Sequence, residues 1–225
     1  LEPVYRGEGR RQELARVLEL RGGGGGALEP RLAALEEAAG IAQRELGDLE
    51  WALTLSGRGL AVVVADSPER IPQWLERVLE LASAAANPAL RAQVLADALG
   101  EHPVDGPERL ALARATAEAL AATDEVERAV AVYRQALHYD PSSTDLLQKV
   151  DALLALQGSP GERLALYRQA LDQPCEPERR RELLHAMARL QRRDLGDLAA
   201  AVQTWQIAIG ADPRDHAAHQ GLVEI

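Results

Sequence analysis

The chain has 225 residues, 47% of them apolar, with no Phe and only 3% aromatics. It can bury a sizeable core, and its Leu- and Ala-rich makeup favours helices over an all-β or nucleotide-binding α/β protein. A net charge of −10 argues against nucleic-acid binding, which needs a basic surface and stacking aromatics.

Periodicity and Pro/Gly punctuation predict helices over 1–6, 10–21, 28–46, 48–65, 68–84, 88–101, 106–122, 124–139, 143–157, 160–172, 177–194, 197–211 and 214–225. Ser67-Pro68, Asn87-Pro88, Gly106-Pro107 and Asp212-Pro213 sit at helix starts. The run Gly22–Gly26 has no Lys-Ser or Lys-Thr after it, so a flexible connection is expected there rather than a phosphate loop. Residues 59–66, Gly-Leu-Ala-Val-Val-Val-Ala-Asp, read alone as a buried strand. Their glycine precedes the apolar run, whereas a dinucleotide fingerprint needs glycines after the strand, and the repeat register makes the segment a helix end.

The repeat is the strongest signal. Tyr-Arg-Gln-Ala-Leu occurs at 133–137 and again at 167–171, 34 residues on, with a degenerate third copy at Trp205-Gln206-Ile207-Ala208-Ile209. Two stripes share the offsets 0, 3, 4, 7, 10 and 11: Val126, Ala129, Val130, Tyr133, Ala136, Leu137, and Leu198, Ala201, Val202, Trp205, Ala208, Ile209. That is the buried face of an amphipathic helix, and the same offsets from Leu49 give Ala52, Leu53, Ser56, Gly59 and Leu60. Leu46-Gly47-Asp48-Leu49 returns as Leu195-Gly196-Asp197-Leu198, with Thr123-Asp124-Glu125-Val126 between them. The longer spacing divides the chain into double hairpins near 1–74, 75–150 and 151–225.

With its 34-residue spacing, Ala129 and Ala136 around Tyr133, and Pro141 opening the next unit, the chain resembles tetratricopeptide-repeat (TPR) proteins. The likeness covers about 105–225 well and 1–104 loosely. The first helix of each unit departs from the family's Trp–Leu–Gly–Tyr pattern, carrying Leu147, Val150, Asp151 and Leu154 in the best unit. The resemblance implies an all-α fold, a right-handed α-solenoid of about six TPR-like helix-turn-helix hairpins forming one domain over 1–225. Both ends fall inside a repeat, so a fragment of a longer array is expected.

Nothing in the sequence builds a catalytic constellation. His216 and His219 are three apart but lack a third metal ligand at suitable spacing, and Cys175, the only cysteine, lies among acidic residues that would raise its pKa. Carboxylates and arginines three or four apart, such as Arg77 with Glu80, Arg114 with Glu118 and Glu178 with Arg181, read as solvated helix faces. No enzyme, cofactor or metal is expected. No apolar run reaches the roughly 20 residues of a membrane span, and the opening residues do not resemble a signal peptide. A cytoplasmic protein is expected, and the near-total use of Arg over Lys reads as base-composition bias of a bacterial genome.

By the resemblance, the first helix of each hairpin lines a groove, which points to Arg114 and Glu118, then Asp145, Gln148 and Ala152. On 177–194 the side opposite Leu183, Met187 and Leu190 carries Arg181, His185, Arg189 and Arg192, a basic stripe suited to an acidic peptide. A strict 34-residue step competes with that choice, because it carries Gln148 onto Glu182 and Ala152 onto Ala186. The expected function is a protein-binding scaffold that receives a peptide or partner helix. Its rivals are a spacer or self-association module and a regulatory domain fused to an enzyme.

Overall fold

A computed structural model describes residues 2–225; residue 1, where the first predicted helix and double hairpin begin, lies outside the described residues. All regular structure among these residues is helical. In chain order the α-helices are α1 (Glu2–Gly7), α2 (Arg11–Gly23), α3 (Leu28–Arg44), α4 (Leu49–Asp66), α5 (Ile71–Ala85), α6 (Pro88–Leu99) and α7 (Pro107–Ala122). They continue with α8 (Val126–Tyr139), α9 (Thr144–Leu156), α10 (Pro160–Leu171), α11 (Pro177–Arg193), α12 (Leu198–Ala211) and α13 (His216–Val223). The chain forms two compact units, divided between Tyr139 and Asp140.

Helix starts follow from local chemistry. The side chains of Asp48, Asn87, Asp197 and Asp215 accept from the backbone N–H three residues on, at 2.9, 3.0, 3.0 and 3.0 Å. Each satisfies a donor that the first helical turn leaves orphaned. The repeated Leu-Gly-Asp-Leu is one turn used twice. Gly47 and Gly196 both adopt positive φ (68° and 66°), and the following Asp N–H closes on Ala42 O or Gln191 O at 2.9 and 2.8 Å. Asp124 takes the glycine's place in the third copy and is itself left-handed (φ 63°), a conformation that short polar side chains tolerate better than most.

In the first unit, consecutive helices pack as antiparallel neighbours, and second helices also stack on one another, α2 on α4 and α4 on α6. Most stripe positions do what their periodicity predicts: Ala52, Leu53, Ser56, Gly59 and Leu60 of α4 are buried, as are Ala129, Val130, Tyr133, Ala136 and Leu137 of α8 and Ala201, Trp205 and Ala208 of α12, but Leu198, at the first position of α12, is 47% exposed, and Val126, Val202 and Ile209 are only half-buried. Small residues set the spacing. A β-carbon at Gly57 would lie 2.2 Å from Val94 of α6, and one at Gly59 would lie 2.0 Å from the indole of Trp74 in α5. In the second unit α9 pairs with α10, α10 with α11, α11 with α12, and α13 rests on both α11 and α12.

Three arginines near the starts of first helices stitch hairpins together. Arg31 Nε donates to Gly22 O, Arg109 Nη2 to Val64 O and Arg180 Nη1 to Leu171 O, at 3.3, 2.7 and 3.2 Å. Each cation thus meets carbonyls in the last turn of an earlier second helix, where the helix dipole is negative.

The structure corrects several expectations. The segment 68–84 is not one helix: Pro68–Arg70 forms a 3₁₀ turn before α5, with Pro72 inside the first α-helical turn. The glycine run is not wholly a connection. Gly22 and Gly23 complete α2, and Gly22 is buried where a β-carbon would strike Leu35 at 2.3 Å. Arg77 does not pair with Glu80 but reaches back to Glu36 of α3, 3.0 Å away. Residues 59–66 are helical throughout.

Candidate functional site

In the first unit, α7 buries Leu112, Ala113, Thr116, Ala119 and Leu120 and leaves Glu118 exposed beside half-buried Arg114. In the second, Ser143 Oγ caps α9, and burial of Leu146, Leu147, Val150 and Leu154 turns Asp145, Gln148 and Ala152 to solvent. The expected groove positions on these two helices are therefore at or near the surface.

Between α9 and α11 lies a cleft of about 210 Å³. Its floor is apolar, with Leu147, Leu183 and Ala186 around the ring of Tyr167 from α10, and its rim carries Gln148, Arg179 and Glu182. Arg179 is anchored by donating to the Ser142 carbonyl and to Thr144 Oγ1. Glu182 is exposed. Beneath the rim, Arg163 grips Asp151 through two hydrogen bonds of 2.7 and 3.2 Å, and Asp151 holds the guanidinium in its charged form. Burial, then the neighbouring Asp151 carboxylate, pushes the Tyr167 phenol up to about 12, so it remains a neutral hydrogen-bonding ring.

The basic stripe of α11 is divided rather than open. Arg189 is exposed, but Arg181, His185 and Arg192 turn along the edge that meets α13. Arg181 pairs with Glu178 at 3.2 Å and Asp212 at 3.4 Å; Arg192 pairs with Glu224 at 2.7 Å. His185 Nε2 lies 2.5 Å from Asp215 Oδ2, with only 13% and 3% of the two side chains exposed. The imidazole also tilts against Trp205, ring centres 5.1 Å apart. Burial works against the Asp215 carboxylate, but the Ala218 N–H and then His185 outweigh it and hold its pKa below the usual range.

Two edges of α11 thus do different work. Glu182 and Ala186 face the α9 cleft, as the strict 34-residue step indicates, whereas the stripe meets carboxylates from the same chain. Tyr167 and Leu183 are cleft residues that surface reasoning passes over, because both are buried stripe positions. The signal for Tyr167 is the repeated Tyr-Arg-Gln-Ala-Leu itself, and for Leu183 the apolar periodicity it shares with Met187 and Leu190.

Among the described residues no group of three or more His, Cys, Asp or Glu is placed to hold a metal ion. No helix among them is long and apolar enough to cross a membrane.

The geometry defines a helical-hairpin repeat protein whose first helices present polar faces. No protein-family profile matches the chain, and no curated protein matches it. Among solved structures it is similar to YrrB, a TPR protein with an unusual peptide-binding site (14% identity, 83% of this chain and 89% of that one, TM-score 0.42). It is also similar to MamA (13%, 81% and 92%, 0.44) and to the C-terminal part of a TPR repeat-containing protein from Cytophaga hutchinsonii (16%, 98% and 84%, 0.46).

Proposed function

We propose that this chain is a non-catalytic protein–protein interaction scaffold that receives a peptide or partner helix on the exposed faces of its first helices. The observation that carries this reading is the α9–α11 cleft, an apolar floor with an aromatic ring beneath a polar rim. Binding energy at protein interfaces concentrates where one apolar anchor enters such a pocket and a hydrated rim excludes water around it. The cleft has room for a single large side chain, with Gln148 and Glu182 placed to read the residues on either side. Arg114 and Glu118 on α7, and Asp145, Ala152 and Arg189 in the second unit, are further contact residues in this reading.

The test is capture of partners from the source cell's lysate by the intact chain and by an Ala186→Arg variant, whose side chain fills the cleft. Ala186 is only half-buried, so circular dichroism should show both chains equally helical. A partner held by the parent and lost by the variant is the expected result. Equal retention would remove the cleft from the reading, and no specific partner for either chain would overturn the scaffold.

A further inference from the structure

The α9–α11 cleft adjoins a second cavity, of about 440 Å³, at the N-terminal ends of the two helices. Pro141 and Ser142 before α9, Ala170 near the end of α10, and Pro174 and Cys175 before α11 line it. Arg179, in the first turn of α11, is half-buried and borders both spaces. Its Nη1 donates to Ser142 O, on the second cavity, and to Thr144 Oγ1, on the cleft. Both acceptors are uncharged. They fix the guanidinium where the two spaces meet and turn neither bond on its Nε–Nη2 edge, the side that grips a carboxylate through two parallel hydrogen bonds. Glu182 lines the cleft and Glu176 the second cavity, three residues to either side of Arg179, and both are exposed. One edge of α11 thus reads acid, base, acid along a groove with apolar surface on both sides of the base.

We propose that this groove selects a linear segment of a partner protein with one Asp or Glu at its centre, an apolar side chain on each side of that acid, and Lys or Arg beyond them. The acid meets Arg179, where a charged ligand group gains more than an amide because the guanidinium is half-buried and already oriented. One apolar side chain enters the cleft over Tyr167, and the other enters the second cavity between Pro141 and Pro174. Glu176 and Glu182 repel a second acid and attract the outer basic residues, so the charge pattern sets direction and register as well as affinity. The proposal rests on the cleft reading for its anchor and adds to it the second cavity and the central charge.

The test selects a random linear peptide library, displayed on phage through the peptide C-termini so that only side-chain carboxylates count, on the intact chain. The expected consensus is a central acid between apolar residues, with basic residues outside. An enriched peptide is then made with Asp and with Asn at the centre, and both forms are titrated by fluorescence anisotropy. The parent should bind the Asp form about tenfold more tightly than the Asn form. Arg179→Gln should bind the two forms equally, and Arg179→Lys, which keeps the charge but not the fork, should keep part of the preference. The ratio of the two affinities cancels any general loosening of α9 that loss of the Arg179 bonds brings; should the glutamine variant bind neither form, the lysine variant decides. Gln173→Trp, whose indole fills the second cavity, should erase the apolar preference on one side of the acid alone. No acidic consensus, an Asp preference that survives Arg179→Gln, an apolar preference unchanged by Gln173→Trp, or no enrichment at all would overturn the proposal. Peptides lost by Ala186→Arg but indifferent to Arg179→Gln would leave the cleft reading standing without this extension, and peptides indifferent to Ala186→Arg would remove the cleft itself.

Discussion

Gly221 of α13 lies so close to the indole of Trp205 in α12 that a β-carbon at 221 would stand 2.4 Å from its Cε2. Trp205 fills the aromatic slot that Tyr133 and Tyr167 fill in the other copies of the repeat, and the larger ring requires the smaller neighbour. Gly221→Ala should therefore destabilise the second unit by about 1–3 kcal/mol through overpacking. Urea unfolding checks this, and a Trp205→Tyr background should recover part of the loss. An unchanged midpoint would show that α13 is not seated on Trp205.

Gly59 and Trp74 make the same bargain in the first unit, where α4 meets α5. Two effects oppose each other here. Helix propensity alone would make Gly59→Ala a gain of about 1 kcal/mol, but a methyl group 2.0 Å from the ring must displace Trp74. Packing should win, giving a net loss, whereas Gly59→Ala with Trp74→Leu should be more stable than the two single changes sum to. A double-mutant cycle measures that coupling, expected at about 0.5–3 kcal/mol. Additive effects would contradict the contact.

Within the α11–α12 hairpin, Thr204 Oγ1 donates to Gln191 Oε1 at 2.8 Å, and both side chains are buried at about 3% exposure. Removing Thr204 strands Gln191 Oε1, so Thr204→Val alone should cost about 1–3 kcal/mol, whereas Gln191→Leu alone should cost less, because the Thr204 hydroxyl can still donate to Ala200 O at 3.0 Å. Replacing both, with Thr204→Val and Gln191→Leu, should be close to neutral, since no buried group is then left unpaired. Thermal melts of the three chains decide whether this polar pair stabilises the hairpin or only penalises its own disruption.

Asp215 gives a pH dependence of definite sign. Its folded pKa lies below the ordinary value despite burial, through the Ala218 N–H and His185. A carboxylate depressed by folding adds stability that is fully present above its unfolded pKa and is lost as pH falls through the folded one. Stability of the parent should therefore drop on acidification below about pH 4, and Asp215→Asn should flatten that limb. Chemical denaturation across pH 2–7 checks it; parallel curves for the two chains would show that Asp215 is not the group responsible.

Much of the fold was legible before any coordinates. Asp48 and Asp197 mark helix starts because a carboxylate one residue before the helix meets its own chain's N–H groups, an interaction that spans three residues. The stripes through Tyr133 and Trp205 mark buried faces because 3.6-residue periodicity is a local property of the helix. The candidate site was less legible. Asp145, Gln148 and Ala152 were picked out by the resemblance to helical-hairpin repeats, but the cleft floor at Tyr167 and Leu183 depends on how far apart α9 and α11 stand.

What the sequence determined by itself is the order, extent and apolar face of nearly every helix, together with the turns that join them, since caps and periodicity act over a few residues. Tertiary structure alone decided which flank of each face meets which neighbour. Arg181, His185 and Arg192 form an exposed-looking stripe on an isolated helix, and only the packing of α12 and α13 brings Asp212, Asp215 and Glu224 onto it from about 30 residues away. A one-position rotation around α11 separates that edge from Glu182 and Ala186, and packing, not local sequence, sets the rotation.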